Sequence, residues 1–149
     1  MESEITTIDY VTKVIVVNPE GQVLLLRRHA GDENRAGDWD FPGGGVDVGE
    51  EYVAAVRREA LEESGIEIEP AKLVLAYANS EHDQRRSKII HRFVYVAKLA
   101  VETDVVLSFE HDAYEWMTVE EALLAFPHRV YCTGLRFAQE SGLLTDQQP

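Results

Sequence analysis

The distribution of apolar and polar positions predicts strands in the first third of the chain. Residues 10–17 and 22–28 are runs of β-branched and aliphatic side chains, and residues 18–21, Asn-Pro-Glu-Gly, have the composition of a hairpin turn. Residues 29–38 are polar and contain glycine, which predicts a loop, whereas residues 39–41 predict a short strand. We therefore expect two long strands, a loop and a third, short strand.

Helices are predicted in three later segments. Residues 50–64 are rich in Glu, Ala, Arg and Leu, and Gly65 follows them as a C-terminal stop. Thr118 opens a Thr-Val-Glu-Glu capping box, so a helix should begin there and end before Pro127, and a last helix is expected at residues 131–141. Further strands are expected at residues 73–79, 89–99 and 114–117. Strands and helices mixed in this order favour an α/β fold with a sheet between helices.

The length is ordinary for a globular protein, but the charge is not. The 149 residues suit a single domain, residues 1–149, with a core over about residues 10–140, short flexible tails and fraying from Thr145. Lys and Arg number 14 and Asp and Glu number 27, so the formal net charge is −13. Binding to an anionic membrane surface or a stable nucleic-acid partner is disfavoured, because both attract basic proteins. A phosphorylated substrate would need something that offsets the same repulsion.

The remaining composition indicates a cytoplasmic protein. Cys132 is the single cysteine, so no internal disulfide can form, which fits a reducing compartment, with a secreted protein that has no disulfide as the alternative. The acidic N-terminus lacks the features of a secretory signal, and no apolar run approaches the roughly 18 residues that span a bilayer.

Residues 44–66 carry the most informative pattern. On a helical wheel, Glu59, Glu62 and Glu63 fall within an arc of roughly 100°, so three carboxylates share one helix face. Such clustering costs stability, and Arg58, four residues before Glu62, relieves part of the repulsion. Two interpretations are open at this point: a solvated acidic face, or a site for a hard divalent cation, which prefers clustered oxygen ligands.

The same segment resembles the Nudix box of the Nudix (MutT-like) hydrolases. That pattern consists of Gly, five residues, Glu, seven residues, Arg-Glu, an aliphatic residue, any residue, Glu-Glu, any residue, Gly and an aliphatic residue. Its positions are filled here by Gly44, Glu50, Arg58, Glu59, Ala60, Glu62, Glu63, Gly65 and Ile66. The preceding Trp-Asp-Phe-Pro-Gly-Gly stretch is also similar, and the resemblance covers most of residues 10–140. It implies the Nudix fold, an α/β/α sandwich around a mixed sheet.

The resemblance also implies an activity and a set of catalytic groups. It implies cleavage of a nucleoside diphosphate linked to another group, with Mg²⁺ or Mn²⁺ as cofactor. The metal ligands that it implies are the backbone carbonyl of Gly43 and the carboxylates of Glu59, Glu62, Glu63 and Glu110. The expected catalytic residues are Arg58, Glu59, Glu62, Glu63 and Glu110, and either Glu62 or Glu110 takes the proton of the attacking water.

Three further residues are expected to support the site, and one to compete for a role in it. Glu50 should pair with Arg58 and hold the helix face in shape, and Gly44 and Gly65 are structural. His111 is a weaker alternative to its neighbour Glu110, and solvent exposure is the simpler interpretation of this loop histidine.

Residues that contact the substrate are less well specified. Arg28 ends the second predicted strand, where some members that cleave nucleoside triphosphates have a phosphate-contacting arginine, although a surface charge is the alternative. Arg92 belongs to residues 81–100, which contain five cationic and two acidic side chains. This stretch either meets phosphates or forms a solvated hairpin or a subunit contact. Trp39 and Phe41 are candidates for stacking on a base, with the core as the alternative.

We favour a nucleoside triphosphate as the substrate, giving a nucleoside monophosphate and pyrophosphate. A nucleotide sugar or another nucleoside-diphosphate derivative is the alternative. A hypothesis of another class is a non-catalytic Nudix-fold module that binds or senses nucleotides, which predicts a damaged box. Signals typical of dinucleoside-polyphosphate, ADP-ribose and oxidised-guanine members are absent, the last because Val130 or Tyr131 replaces an Asn. A homodimer is compatible with the family, and the substrate should bind poorly without divalent metal.

Overall fold

The computed structural model describes residues 4–145, and within them the chain forms seven strands and three helices. In chain order these are β1 (Thr7–Val17), β2 (Val23–Arg28), β3 (Trp39–Asp40), β4 (Gly43–Gly45), α1 (Tyr52–Ser64), β5 (Val74–Asp83), β6 (Lys88–Lys98), β7 (His111–Met117), α2 (Val119–Ala125) and α3 (Arg129–Glu140). A 3₁₀ turn, Pro70–Lys72, lies between α1 and β5. No helix in this part of the chain is long and apolar enough to cross a membrane. The fraying expected from Thr145 falls largely on residues outside the described range.

The strands form one mixed sheet in the order β3-β2-β1-β6-β5. β1 and β6 run parallel in unbroken register, from Thr7 opposite Lys88 to Val17 opposite Lys98. β5 lies antiparallel to β6, while β4 pairs with β1 and β7 pairs with β2. Parallel neighbours need a long crossover connection, and the crossover between β1 and β6 contains α1.

Helices cover both faces of the sheet. Side chains alternate along a strand, so Val14 and Val16 of β1 pack towards α1 with Val56, whereas Ile15 and Val17 pack towards α2 and α3. Because both faces are buried, these positions form a continuous apolar run in the sequence. The predicted α/β/α sandwich around a mixed sheet is confirmed.

Some element ends differ from expectation, because backbone pairing decides them. The glycine stretch after Pro42 forms an additional strand, since Gly43–Gly45 pairs with β1. β5 runs longer than expected because it pairs with β6 to its end. β7 begins earlier than expected, at His111, because it pairs with β2 as far as Arg28.

Helix ends follow their local capping chemistry. The Thr118 hydroxyl accepts a hydrogen bond from the backbone N–H three residues later at 3.2 Å, and Gly65 ends α1 with a φ of 72°, both as predicted. α1 begins at Tyr52 rather than at residue 50. The reason is that Glu50 forms a turn with Asp47, whose N–H donates to the Glu50 carboxylate at 3.1 Å.

A buried lysine fastens the connection between β3 and β4 to β1. Lys13 Nζ donates to Asp40 Oδ2 at 2.9 Å and to the carbonyl oxygens of Phe41 and Gly43, each at 3.3 Å. These acceptors satisfy all three N–H donors of the ammonium group, as burial of a charge requires. The strand pairing is so close that a Cβ on Gly43, whose φ is 144°, would lie 2.1 Å from the Thr12 carbonyl oxygen. Only glycine fits at this point of the chain.

Candidate active site

α1 carries three glutamates past the glycine strand β4. Glu63 is 4% exposed, and its Oε2 accepts the N–H of Gly43 at 3.2 Å. Glu59 packs against Gly44, where an added Cβ would lie 2.7 Å from the Glu59 carboxyl carbon. Glu62 is exposed to solvent. The missing side chain of Gly44 thus leaves room for a carboxylate beside the backbone of β4.

Arg58 ties these carboxylates to their surroundings. Its Nε and Nη2 form a two-pronged contact with Glu50 at 2.8 and 3.0 Å, and Nη2 also reaches the Gly45 carbonyl at 3.2 Å. Its Nη1 donates to Glu59 at 3.1 Å and to Glu62 at 3.4 Å. The hydrogen bond from Arg58 lowers the pKa of Glu50 to about 2, and the same contact raises the pKa of Arg58. The structure therefore brings Arg58 and Glu50 together, as the box resemblance implies.

Glu63 has a strongly perturbed carboxyl group. Burial raises the pKa of Glu63 to about 8, although the charge of Lys13 and the hydrogen bond from Gly43 act in the opposite direction. The carboxylates of Glu59 and Asp40 raise this pKa further. Burial alone would lower the pKa of Lys13, but the negative charge of Asp40 raises it above the ordinary lysine value. Lys13 is therefore a permanent cation next to Glu63.

Sequence reasoning missed Lys13 and Asp40, which form a buried ion pair. A signal was present, because Lys13 is a charged residue within a predicted strand and directly precedes the apolar run of residues 14–17. Lysine and aspartate are almost never fully buried unless they are paired. A lysine at such a position predicts a partner, but its identity does not follow from the sequence.

A cleft of about 570 Å³ opens between the sheet, β4 and the start of α3. Gly44 and Gly45 line it, so the Glu59 carboxylate that packs on Gly44 adjoins the cleft. Its lining is mostly charged. The cations are Lys13, Arg28, Arg35, Arg86, Lys88 and Arg92, and the acidic residues are Asp9, Asp32, Asp38, Glu81 and Asp83.

Two of the expected substrate contacts, Arg28 and Arg92, line this cleft. Nη1 of Arg28 lies 3.7 Å from the Glu110 carboxylate, which is half-exposed. Arg92 donates a hydrogen bond to Glu81, on the neighbouring strand. The structure thus brings the Glu110 carboxylate beside Arg28, which lines the cleft.

His111 is buried opposite Arg28 in the sheet and does not face solvent. It is 4% exposed, and burial, together with the nearby charge of Arg28, lowers the pKa of His111 to about 4. Neither of its ring nitrogens has a hydrogen-bond partner among the described residues. The expectation that His111 is solvent-exposed is wrong, because pairing of β7 with β2 draws it into the sheet.

The two aromatic candidates occupy different environments. Phe41 is fully buried, with its ring centroid 4.7 Å from that of Phe126 and 5.9 Å from that of Tyr131. The expectation that Phe41 stacks on a base is therefore wrong, because its ring belongs to the core. Trp39 is partly buried, and the Arg27 guanidinium lies over its ring at 5.8 Å from the centroid.

Comparison with known proteins identifies this constellation. The model of the NUDIX domain matches residues 9–131. The chain is 30% identical over 141 residues to an RNA pyrophosphohydrolase of Caulobacter vibrioides, covering 79% of this chain and 78% of that protein. It is 32% identical over 108 residues to the CTP pyrophosphohydrolase of Escherichia coli, covering 72% of this chain and 75% of that protein. The chain belongs to the Nudix family. It is a Nudix hydrolase, an enzyme that hydrolyses phosphoric anhydride bonds.

Solved structures of the Nudix family share the fold. A MutT protein from Methanosarcina mazei superposes with a TM-score of 0.77 at 28% identity, covering 91% of this chain and 96% of that one. A MutT NUDIX hydrolase from Burkholderia pseudomallei gives a TM-score of 0.72 at 26% identity, with 88% and 98% coverage. A match to an octanoyltransferase of Myxococcus xanthus, 31% identical over 109 residues, spans 30% of that protein's length.

Nudix hydrolases generally use divalent metal ions, and the donor set of this chain fits such an ion. Three carboxylates stand on one face of α1, and the missing Cβ of Gly44 leaves space beside Glu59. Carboxylate and carbonyl oxygens are the donors that hard cations prefer. Within residues 4–145, no three His, Cys, Asp or Glu side chains are already gathered around one point. Arg58 hydrogen-bonds both Glu59 and Glu62, so two of the three carboxylates already contact a cation.

The perturbed pKa of Glu63 predicts how metal-free stability depends on pH. The folded protein keeps the Glu63 proton up to about pH 8, whereas the ordinary glutamate value is 4.5, so between these values the folded state binds more protons. The free energy of unfolding should therefore fall as the pH rises. The lowered pKa of His111 acts oppositely, but only between about pH 4 and 6.5. From pH 6.5 to 8 we expect a loss on the order of 1–2 kcal/mol, measured by urea denaturation with EDTA.

The matched variant for this measurement is Glu63→Gln, which keeps the shape of the side chain and removes its titration. The loss between pH 6.5 and 8 should disappear in this variant. An equal loss in both proteins would show that another group causes it.

Proposed function

We propose that this Nudix hydrolase converts a nucleoside triphosphate to a nucleoside monophosphate and pyrophosphate, with Mg²⁺ or Mn²⁺. The observation that carries this proposal is the position of Gly44, which contacts Glu59 and also lines the charged cleft. The carboxylates of α1 and the cations of the cleft therefore meet at one place. The name of the Escherichia coli relative, CTP pyrophosphohydrolase, supports a nucleoside triphosphate.

The residues proposed to hold the metal belong to α1 and β4. They are the carboxylates of Glu59, Glu62 and Glu63 and the carbonyl of Gly43, with Glu110 as a further ligand or base. A bound divalent ion offsets phosphate charge and polarises a phosphoryl oxygen. Arg58 orients the carboxylates through the hydrogen bonds described above, and Glu50 holds Arg58 in place.

The remaining roles concern the proton and the phosphates. Glu62 is exposed, so water reaches its carboxylate, which suits the group that accepts a proton from the attacking water. Glu110 is the alternative base. Arg28 suits phosphate oxygens because its guanidinium is a fixed, planar charge in the cleft wall. Arg92 lines the same cleft and Trp39 lies near the loop at its edge; both remain proposed substrate contacts.

RNA is a second candidate substrate, bound transiently and therefore distinct from the stable nucleic-acid partner that the sequence disfavours. The curated relatives include an RNA pyrophosphohydrolase matched over 78% of its length. The cleft lining also contains two cations near the β5–β6 turn, Arg86 and Lys88. Such a cationic end suits the backbone of a strand that leaves the cleft.

A product screen tests the proposal. Nucleoside triphosphates, nucleotide sugars and a 5′-triphosphorylated RNA oligonucleotide are incubated with the enzyme and Mg²⁺ or Mn²⁺, and the products are identified by mass. We expect nucleoside monophosphate and pyrophosphate from a triphosphate, and no products with EDTA. Cleavage confined to nucleotide sugars or to RNA would replace the proposed substrate, and no cleavage of any compound would contradict a catalytic role.

The role of Glu63 is tested by Glu63→Gln, with Glu67→Gln as the matched control. Glu67 is an exposed glutamate just beyond α1. We expect the Glu63 variant to lose turnover by about 100-fold or more while it remains folded, because a neutral amide does not balance the charge of a divalent cation. The Glu67 variant should keep its activity. Near-normal turnover of purified Glu63→Gln would remove Glu63 from the site.

A further inference from the structure

Three of the six cations in the cleft donate side-chain hydrogen bonds to protein oxygens. Lys88 donates to Asp9 at 2.7 Å, Arg92 donates to Glu81, and Lys13 donates to its three acceptors below β4. These side chains are held by protein oxygens. A ligand would have to break those bonds before it used the same donors.

Arg28 and Arg35 are different. Among the described residues neither side chain forms a hydrogen bond, and their charge contacts are longer, between 3.5 and 4.0 Å. Arg28 is 14% exposed, and its Nε is buried without a partner in the described part of the chain. Arg86 also forms long contacts, but it is 59% exposed and therefore hydrated. Because buried donors are normally satisfied, the unpartnered Nε of Arg28 indicates a place for oxygen atoms from a ligand. The Arg35 side chain, which is 36% exposed, contacts the same carboxylate, that of Asp40, and adds further donors.

The buried carboxylate of Asp40 forms charge contacts with both arginines. Asp40 Oδ2 lies 3.5 Å from Nη1 of Arg35, 4.0 Å from Nη2 of Arg28 and 2.9 Å from Nζ of Lys13. Since Lys13 balances the charge of Asp40, the guanidinium groups keep positive charge towards the cleft. The loop between β2 and β3, which carries Arg35, is held by its own hydrogen bonds, because the Asp32 carboxylate accepts the backbone N–H of Arg35 at 2.8 Å.

Two other carboxylates face the same pair. Asp32 and Glu110 lie 3.8 and 3.7 Å from Arg28, which is beyond hydrogen-bond distance. Phosphate oxygens at hydrogen-bond distance would interact with this guanidinium more strongly than either carboxylate does. The planar fork of an arginine matches two oxygens of one phosphate group.

We propose that Arg35 and Arg28 form a metal-independent phosphate subsite in the cleft. The buried ion pair between Asp40 and Lys13 orients both guanidinium groups. The inference rests on the proposed function and deepens it. It adds Arg35 as a substrate-binding residue. It also favours substrates with a chain of phosphates, of which one phosphate lies at the α1 carboxylates and another at the two arginines. It also predicts residual binding of a polyphosphate when no divalent ion is present.

Titration of inorganic pyrophosphate into the enzyme in EDTA at low salt tests the subsite, with binding measured by calorimetry. We compare Arg35→Gln and Arg28→Gln with Arg27→Gln, a matched control on the same strand whose guanidinium instead contacts Asp112 and covers Trp39. Each cleft variant should weaken pyrophosphate binding about tenfold, and Arg27→Gln should change it less than twofold. Equal binding by Arg35→Gln and Arg27→Gln, or no binding by the wild type at millimolar pyrophosphate, would overturn the proposal.

Kinetics separates this subsite from a purely structural effect and from the proposed reaction. With the substrate found in the screen, Arg35→Gln should raise KM about tenfold and leave kcat within about threefold, because the contact exists before and during the reaction. Pyrophosphate binding that depends on Arg35 without any hydrolysis would refute the proposed function and keep the subsite. Normal hydrolysis with an unchanged KM in Arg35→Gln would refute the subsite and keep the function.

Discussion

The ammonium group of Lys13 is the contact on which the arrangement of the site depends. It is 3% exposed and bonds one carboxylate and two backbone carbonyls of the segment between β3 and β4. That segment ends at Gly43, whose N–H in turn donates to Glu63 on α1. A single buried charge therefore joins the central strand, the glycine strand and the glutamate helix. Removal of one partner of such a pair leaves the other charge buried and uncompensated, which is strongly destabilising.

The ion pair between Lys13 and Asp40 also affects how the net charge of −13 is distributed around the site. Taken alone, that charge opposes any phosphorylated substrate. In the structure, six cations and five acidic residues line the cleft, so the acidic surplus lies elsewhere on the protein. Lys13 also neutralises Asp40, which leaves Arg28 and Arg35 as cations in the cleft wall. The lining of the cleft therefore lacks the acidic surplus of the whole chain, and its arginines suit an anion.

Features that depend on neighbours in the sequence could be predicted well. The helix of the Nudix box, its Gly65 stop and the contact of Arg58 with Glu62 involve residues no more than a few positions apart. The resemblance to the Nudix box also implied the pairing of Arg58 with Glu50. Such contacts follow from helical periodicity and from the fixed spacing of the motif.

Features that depend on distant residues could not be predicted. Lys13 and Asp40 are separated by 27 positions, so nothing local connects them. Phe41 is buried because Phe126 and Tyr131, from the far end of the chain, pack on it. His111 is buried by strand pairing with β2. In each case the side chain's environment is set by the topology of the sheet, which composition and periodicity do not specify.

Amide hydrogen exchange at Gly43 tests the central claim most directly. In the wild type its N–H is held by the buried Glu63, and in Lys13→Met the carbonyl side of the same residue loses its ammonium partner. We predict that this substitution accelerates exchange at Gly43 by about tenfold or more, while the amide of Val16, in the paired part of β1 and β6, keeps its protection. Unchanged exchange at Gly43 in a folded Lys13→Met protein would contradict the account.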